Sequence, residues 1–256
     1  MSNLAALAKI VDDAQCSATA IEQLSIKHTK LSVEDAYEIQ NISVARRLDR
    51  GERRIGVKMG LTSRAKMIQV GVDEVAWGRL TDAMILEEGA TLKKSKFVHP
   101  RLEPEVVFLL KKPLSGTVTA LEAMSAVEAI APAMEVIDSR YENFKFSLVD
   151  VIADNTSSSG LVIGAWCSPQ IDCSNLGMVM SVNGRPVQIG SSAAILGHPV
   201  RSLVSAAKLV AQSGESLNAG DIVMAGGATA AHPASIGETI SLDVQNLGSV
   251  SITIEE

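Results

Sequence analysis

The sequence is poor in aromatic residues and has no strong excess of either charge sign. Aromatic residues make up 3% of the 256 residues, which argues against a base-stacking surface for single-stranded nucleic acid. The net charge is −6 at pH 7, and no dense Lys/Arg block indicates a polyanion or an anionic membrane as a partner. We therefore expect no nucleic-acid partner and no membrane partner.

Long apolar runs and paired cysteines are also missing. No apolar stretch reaches the roughly 18 residues that a membrane-spanning helix needs. The N-terminus is interrupted by Lys9, Asp12 and Asp13 and lacks a basic start and a cleavage site, so we expect no signal peptide. The cysteines are scattered and form no CxxC pair: Cys16, Cys167 and Cys173. We therefore expect no disulfide framework, and a reducing cytoplasm is the simplest location.

The pattern of apolar residues predicts helices mainly in the first third of the chain. Capping signals bound some of them, such as Ser32, Gly51 and the Thr119/Glu122 capping box. The predicted helices cover 3–15, 17–26, 32–50, 62–69, 119–130 and 199–213. The predicted strands cover 53–59, 83–86, 105–111, 133–138, 160–166, 177–182, 221–225, 239–244 and 249–254.

Helices and strands do not alternate regularly, which disfavours a Rossmann fold or a TIM barrel. The order favours an α+β protein with a helical cap on a mixed, β-rich core. We accordingly predict a mainly helical N-terminal region over 1–80 and a β-rich catalytic core over 81–256.

Two carboxylates in the segment HPRLEPEVVF (99–108) stand out. Glu103 and Glu105 are two residues apart, so in extended backbone both side chains point to one face. Pro104 between them excludes a helix and pushes Glu103 away from the helical region. Like charges on one face of a strand repel each other, so a positive group should compensate them.

Glu135 provides a third carboxylate within the apolar run APAMEVID (131–138). A buried carboxylate is costly unless it is paired or bound to a metal. Three carboxylates would suit Mg²⁺ or Mn²⁺ better than zinc, because hard cations prefer oxygen ligands. The spacing alone also allows a solvated edge strand, in which Glu103 and Glu105 pair with Arg101 or a lysine.

Six segments, in order, resemble the hydratase/decarboxylase branch of the fumarylacetoacetate hydrolase superfamily. They are GVKMGLTSRAKM (56–67), WGRLTD (77–82), HPRLEPEVVF (99–108), AMEVIDSRY (133–141), ADNTSSSG (153–160) and LNAGDIVMAGG (217–227). The resemblance implies a core of mixed β-strands rolled into a sandwich-like barrel, with an N-terminal helical region. It also implies that Glu103, Glu105 and Glu135 bind the metal.

The resemblance leaves two main activities in a meta-cleavage pathway for aromatic compounds. One is decarboxylation of 2-oxo-3-hexenedioate, and the other is hydration of 2-hydroxypentadienoate. Hydratases tend to carry an acidic residue where this chain has Ala76, and the segment GGATAAHP (226–233) also looks like the decarboxylase version. The decarboxylase is therefore favoured, with a small 2-keto dicarboxylic acid as substrate. Hydrolysis of a C–C bond and an inactive scaffold subunit are the rival interpretations.

Further site residues follow from the matching motifs. Lys58 is expected to bind a substrate carboxylate or the dienolate oxygen, although a surface lysine beside Arg53 and Arg54 is the alternative. The resemblance also implies a homo-oligomer and a possible complex with the pathway's hydratase. The remaining candidates are substrate contacts by Gly60, Leu61, Ser159 and Thr229, and orientation of the glutamates by Arg101 and Asp138. Ser159, the last of three serines before Gly160, could instead serve only the turn at that glycine. Asp138 could instead pair with Arg140.

Overall fold

The computed structural model describes residues 3–63, 67–68 and 74–256. Its helices are α1 (Leu4–Cys16), α2 (Leu24–Lys27), α3 (Val33–Asp49), α4 (Ala120–Ser125), α5 (Leu148–Ala153) and α6 (Pro199–Gln212). Its strands are β1 (Arg54–Gly60), β2 (Ala76–Thr81), β3 (Ile85–Leu86), β4 (Thr91–Lys93), β5 (Arg101–Leu110), β6 (Val127–Ile137), β7 (Ser158–Ile163), β8 (Gly177–Val182), β9 (Arg185–Ser191), β10 (Ile222–Met224), β11 (His232–Pro233), β12 (Thr239–Val244) and β13 (Gly248–Glu255).

Two mixed sheets organise the described residues. The larger sheet has the order β2-β1-β10-β5-β6-β7-β3, with β11 added beside β5. The smaller has the order β4-β13-β12-β8-β9. Parallel pairing of β1 with β10 and of β4 with β13 makes both sheets mixed. The predicted α+β class with a mixed β-sandwich/barrel core is confirmed.

The larger sheet curls until β2 approaches the segment that leads into β7. The backbone N–H of Arg79 donates to Asn155 Oδ1 at 2.8 Å, and Asn155 Nδ2 donates to the Arg79 carbonyl at 2.9 Å. Gly78 is required here, because a Cβ on it would lie 2.4 Å from the Asn155 carbonyl oxygen. The sheet thus forms a half-barrel closed by side-chain hydrogen bonds.

Alternation along β5 divides the half-barrel into an outer and an inner face. Leu102, Val106 and Phe108 point outward into the main core, which they share with the smaller sheet and α6. Val107 points inward and packs with a smaller apolar cluster that also contains Met224. Glu103 and Glu105 share the inward face with Val107, so one end of the half-barrel interior is apolar and the other is charged.

The N-terminal helices pack against β2 and α5. Gln40 on α3 is fully buried, and its Nε2 donates to the carbonyls of Trp77 at 3.1 Å and Ile152 at 2.8 Å. This amide therefore ties α3 to β2 and α5. Strand β1 and all but the last residue of β2 lie within residues 1–80 yet belong to the larger sheet. The domain division at residue 81 stays a prediction.

In the described part of the chain, no helix combines the length and apolarity needed to cross a membrane.

Helix prediction was accurate where local capping dominates and wrong where tertiary pairing dominates. The helix at 32–50 is confirmed, with Ser32 and Asp35 forming a capping box. The helix at 17–26 is wrong, because Ala18 is left-handed and the Ile21 N–H donates to the Arg140 carbonyl. The helix from Thr119 is wrong beyond residue 125, where pairing with β5 draws the chain into β6. Strands β2, β4, β9 and β11 were not predicted, and the predicted helix at 62–69 lies largely outside the described residues.

Replacing Asp150 with Ala should destabilise the protein by about 3 kcal/mol, because several partly buried donors lose their fully buried acceptor. The Asp150 carboxylate caps α5 and accepts from the N–H and Oγ of both Ser25 and Ser147, at 2.6–2.9 Å. Urea unfolding monitored by circular dichroism would measure the loss. Glu122→Ala is the matched control, since Glu122 makes the same capping box on exposed α4 and should cost only about 1 kcal/mol. Equal losses would contradict this account.

Candidate metal centre and active site

Pairing of β5 with β6 brings three glutamates together on the inner face of the half-barrel. Glu103 lies directly opposite Glu135, and Glu105 lies opposite Ala133, two register positions further along. One carboxylate oxygen from each glutamate lies within 4.8 Å of the others. All three are buried, with Glu105 and Glu135 at 0% exposure. This burial in the middle of the sheet excludes the solvated edge strand.

Burial without enough positive charge raises the pKa values of two of these glutamates. The pKa of Glu105 is raised well above its usual range by desolvation and by repulsion from Glu135 and Glu103. The pKa of Glu135 is also raised by desolvation, although the Lys58 ammonium opposes that shift. Atom Oε1 of Glu105 and atom Oε1 of Glu135 are buried and accept no hydrogen bond from the described residues. Within the described part of the chain, these two carboxylates therefore still have oxygen atoms available to a cation.

Lys58 supplies one positive charge from β1. Its Nζ lies 3.1 Å from Glu135 Oε2, and the side chain is 3% exposed. Strand β1 runs parallel to β10, which in turn pairs with β5, and this order places Lys58 on the inward face. The alternative of a surface lysine is therefore excluded.

Gly226, in the loop after β10, supplies a further contact to the cluster. Its backbone N–H donates to Glu105 Oε2 at 2.7 Å. The residue has φ +107°, and a Cβ on it would lie 2.1 Å from Thr62 Oγ1, so only glycine fits. Sequence reasoning missed this role, although the double glycine directly after a strand was a usable signal.

The residues fit a hard divalent cation. Three convergent, buried carboxylates offer the oxygen ligands that Mg²⁺ and Mn²⁺ prefer. A cation would also provide a partner for Glu105 Oε1 and Glu135 Oε1, which have none among the described residues, and it would offset the repulsion between the carboxylates.

Comparisons with known proteins place this site in a family. The family model for the fumarylacetoacetate hydrolase C-terminal domain matches residues 58–255, which include all the site residues described above. The chain belongs to the fumarylacetoacetate hydrolase family. It is 56% identical to a 4-oxalocrotonate decarboxylase from a Pseudomonas species over 247 residues, 96% of both chains.

Two further comparisons bear on activity within the family. A solved structure, 4-oxalocrotonate decarboxylase from Pseudomonas putida G7 complexed with magnesium and adipate, superposes with a TM-score of 0.96 at 39% identity. That superposition covers 98% of this chain and 97% of the other. A 2-keto-4-pentenoate hydratase from Paraburkholderia xenovorans is 35% identical over 88% of this chain and 85% of its own. The fumarylacetoacetate hydrolase family thus includes similar relatives with both activities.

The other predicted substrate contacts lie at different distances from the glutamates. Gly60 is close to the site, because a Cβ on it would lie 3.9 Å from Lys58 Nζ. Leu61 follows in a left-handed conformation with φ 58°. Ser159 accepts a hydrogen bond from Arg140 and lines an outer cavity that contains none of the three glutamates. Thr229 is half-buried, and its Oγ1 donates to the Ala230 carbonyl at 3.0 Å.

The residues predicted to orient the glutamates have other contacts. The carboxylate of Asp138 accepts from the backbone N–H groups of Val98 and His99, at 2.9 and 2.7 Å. It does not form the alternative pair with Arg140, whose guanidinium instead pairs with Asp154. The guanidinium of Arg101 lies 4.0 Å from the centre of the Phe144 ring. Both residues therefore contact the loops near the start of β5 and the end of β6. Their orientation of the glutamates stays a prediction.

Replacing Glu105 with Gln should stabilise the metal-free protein by about 1–2 kcal/mol, because it removes a buried charge while an amide oxygen can still accept from Gly226. The same change should abolish stabilisation by Mn²⁺, which for the wild type should reach about 2.7 kcal/mol at a hundredfold excess over Kd. Thermal unfolding in EDTA and in MnCl₂ would measure both effects. Glu128→Gln, on the exposed side of β6, is the control and should change neither. A variant that is still stabilised by Mn²⁺ would exclude Glu105 as a ligand.

Proposed function

We propose that this chain is a carboxy-lyase that converts 2-oxo-3-hexenedioate (4-oxalocrotonate) to 2-hydroxypenta-2,4-dienoate and CO₂ in the meta-cleavage degradation of aromatic compounds. The observation that carries the proposal is 56% identity to a decarboxylase over 96% of the chain, with the glutamate cluster and Lys58 intact. The structure that superposes at a TM-score of 0.96 binds magnesium and adipate. Adipate is a six-carbon dicarboxylate, as is the proposed substrate.

Glu103, Glu105 and Glu135 would hold the cation, Mg²⁺ or alternatively Mn²⁺. When bound, the cation supplies Lewis-acid polarisation of the substrate's keto group. The glutamates fix its position because the β5–β6 ladder and the Gly226 N–H leave their side chains little freedom.

Loss of CO₂ breaks the bond between C5 and C6 of the substrate. The electron pair moves through the double bond and leaves negative charge on the C2 oxygen, and protonation of that oxygen gives the dienol product. The buried Lys58 ammonium stabilises this developing charge, and its effect is larger in a site shielded from water than it would be in solvent. Because the charge is greatest late in the reaction, the interaction lowers the barrier rather than only tightening substrate binding.

Ala76 supports decarboxylation over hydration. Ala76 is 1% exposed and pairs with Gly60, which places its side chain on the same face of the sheet as Lys58, two register positions away. Adding water to a double bond requires a proton-transfer group beside the substrate, and a methyl group cannot serve as one. Hydration of 2-hydroxypentadienoate is the second candidate, supported by 35% identity to a 2-keto-4-pentenoate hydratase.

The remaining rivals have less support. Hydrolysis of a C–C bond requires a base to activate water, commonly a His–Glu pair. His232 does lie 3.3 Å from Glu238, but it is cross-strand to Leu102, which faces away from the glutamates. An inactive scaffold would be free to lose Lys58 and the glutamates, and this chain keeps all of them.

The proposal extends to assembly and location. We infer a homo-oligomer that associates with the pathway's hydratase, since the dienol product is that enzyme's substrate. A cytoplasmic location is consistent with the free thiols of Cys16, Cys167 and Cys173.

Incubating the protein with 2-hydroxymuconate and a tautomerase should release CO₂ and form 2-hydroxypenta-2,4-dienoate. EDTA should stop the reaction, and added Mg²⁺ or Mn²⁺ should restore it. Ultraviolet absorbance and a coupled CO₂ assay would follow the two products. Conversion of 2-hydroxypentadienoate to 4-hydroxy-2-oxovalerate by this chain alone would favour the hydratase, and full activity in EDTA would exclude the metal.

Replacing Lys58 with Met should lower kcat by about 10²–10³-fold, the loss seen when one preorganised donor to a developing oxyanion is removed. Mn²⁺ affinity should persist, because all three carboxylates remain. Steady-state kinetics and calorimetry would separate these effects. Lys111→Met, which changes an exposed lysine on the outer surface, should leave kcat unchanged. A Lys58→Met variant with normal kcat would refute the role given to the ammonium.

A further inference from the structure

Thr62 carries a buried hydroxyl that the metal centre does not explain. The residue is 1% exposed, and its Oγ1 has no hydrogen-bond partner among the described residues. Buried hydroxyls are normally paired, since an unpaired one costs roughly 1–3 kcal/mol. The only carboxylate oxygens in the same unpaired state belong to Glu105 and Glu135, within the described part of the chain, and a cation accounts for those.

Several backbone features fix the position of Thr62. Thr62 is the second residue after β1. Leu61, which lies between them, turns the chain through a left-handed conformation at φ 58°. The Thr62 carbonyl accepts from the Leu196 N–H at 2.8 Å. A left-handed leucine is unfavourable and occurs mainly where surrounding structure enforces it, often at functional sites. The hydroxyl is therefore held at its position before any ligand arrives.

The Thr62 side chain occupies the space that a side chain on Gly226 would otherwise fill. An ideal Cβ on Gly226 would lie 2.1 Å from Thr62 Oγ1, so the hydroxyl packs directly on that glycine. The N–H of Gly226 in turn donates to Glu105 Oε2 at 2.7 Å. Only one residue therefore separates the hydroxyl from the carboxylate cluster.

We propose that the Thr62 hydroxyl donates a hydrogen bond to a carboxylate oxygen of the bound 2-keto acid, on the Gly226 side of the metal centre. The proposal rests on the proposed function for the class of ligand. It makes Thr62 a substrate-binding residue that completes its hydrogen bonding only when the ligand is present.

This role predicts opposite effects of one substitution on stability and on binding. Thr62→Val keeps the shape of the side chain and removes the hydroxyl. In the metal-free protein it removes an unpaired buried polar group, so the melting temperature should rise or stay unchanged. In the Mn²⁺-loaded protein it should weaken oxalate, which mimics the head of a 2-keto acid, by about ten- to a hundredfold, the value of a hydrogen bond to a charged group.

The experiment compares Thr62→Val, Thr62→Ser and Tyr141→Phe with the wild type. Tyr141→Phe is the matched control, because Tyr141 Oη is also buried without a partner among the described residues but packs under the N-terminal helices. Differential scanning calorimetry in EDTA gives stability, and isothermal titration gives Mn²⁺ affinity and then oxalate affinity. We expect unchanged Mn²⁺ affinity in all three variants, and weaker oxalate binding only in Thr62→Val.

Two outcomes would overturn the proposal. If Thr62→Val binds oxalate as the wild type does, the partner of the hydroxyl is a water molecule. If Thr62→Ser loses as much affinity as Thr62→Val, the methyl group and not the hydroxyl is responsible. Neither measurement requires turnover, so a failure of the wild type to release CO₂ would refute the proposed function without deciding the role of Thr62.

Discussion

Electrostatic repulsion among three buried carboxylates is the constraint on which the site depends. Glu103 and Glu135 face each other across an antiparallel ladder, an arrangement that destabilises a sheet when both groups are charged. Lys58 and the Gly226 N–H offset part of that cost. Under the proposed function, a divalent cation held by the three glutamates would offset more of it, so cation binding would recover energy that folding of the site costs.

The rest of the fold makes this unfavourable cluster tolerable. Strand β5 carries the glutamates on its inward face and Leu102, Val106 and Phe108 on its outward face, within the main core. The apolar contacts on one face thus hold the charged groups on the other in register. A slip of one residue would exchange the two faces and bury the wrong set, so packing of the core also specifies the geometry of the site.

Local patterns in the sequence predicted the parts of the site that depend on local structure. Pro104 and the two-residue spacing placed Glu103 and Glu105 on one face, and the apolar run around Glu135 indicated its burial. The contact between Gly226 and Glu105 joins residues 121 positions apart, and it depends on the curl of the sheet, which no local pattern encodes. The same limit explains the wrong helix after residue 125: the Thr119/Glu122 capping box starts the helix as predicted, but pairing with β5 ends it early. Ser159 and Thr229 were chosen from glycine-rich turns, but the structure gives their hydroxyls other neighbours.

The closure of the half-barrel has a further consequence for how the sheet avoids other chains. An exposed strand presents unpaired N–H and C=O groups that can recruit a second molecule. The side-chain amide of Asn155 bonds both the N–H and the C=O of Arg79, and so imitates a peptide group of a neighbouring strand. At this position the edge of β2 is already paired, by one side chain instead of a strand. Asn155 therefore satisfies the backbone of this edge without adding a strand across the opening of the half-barrel.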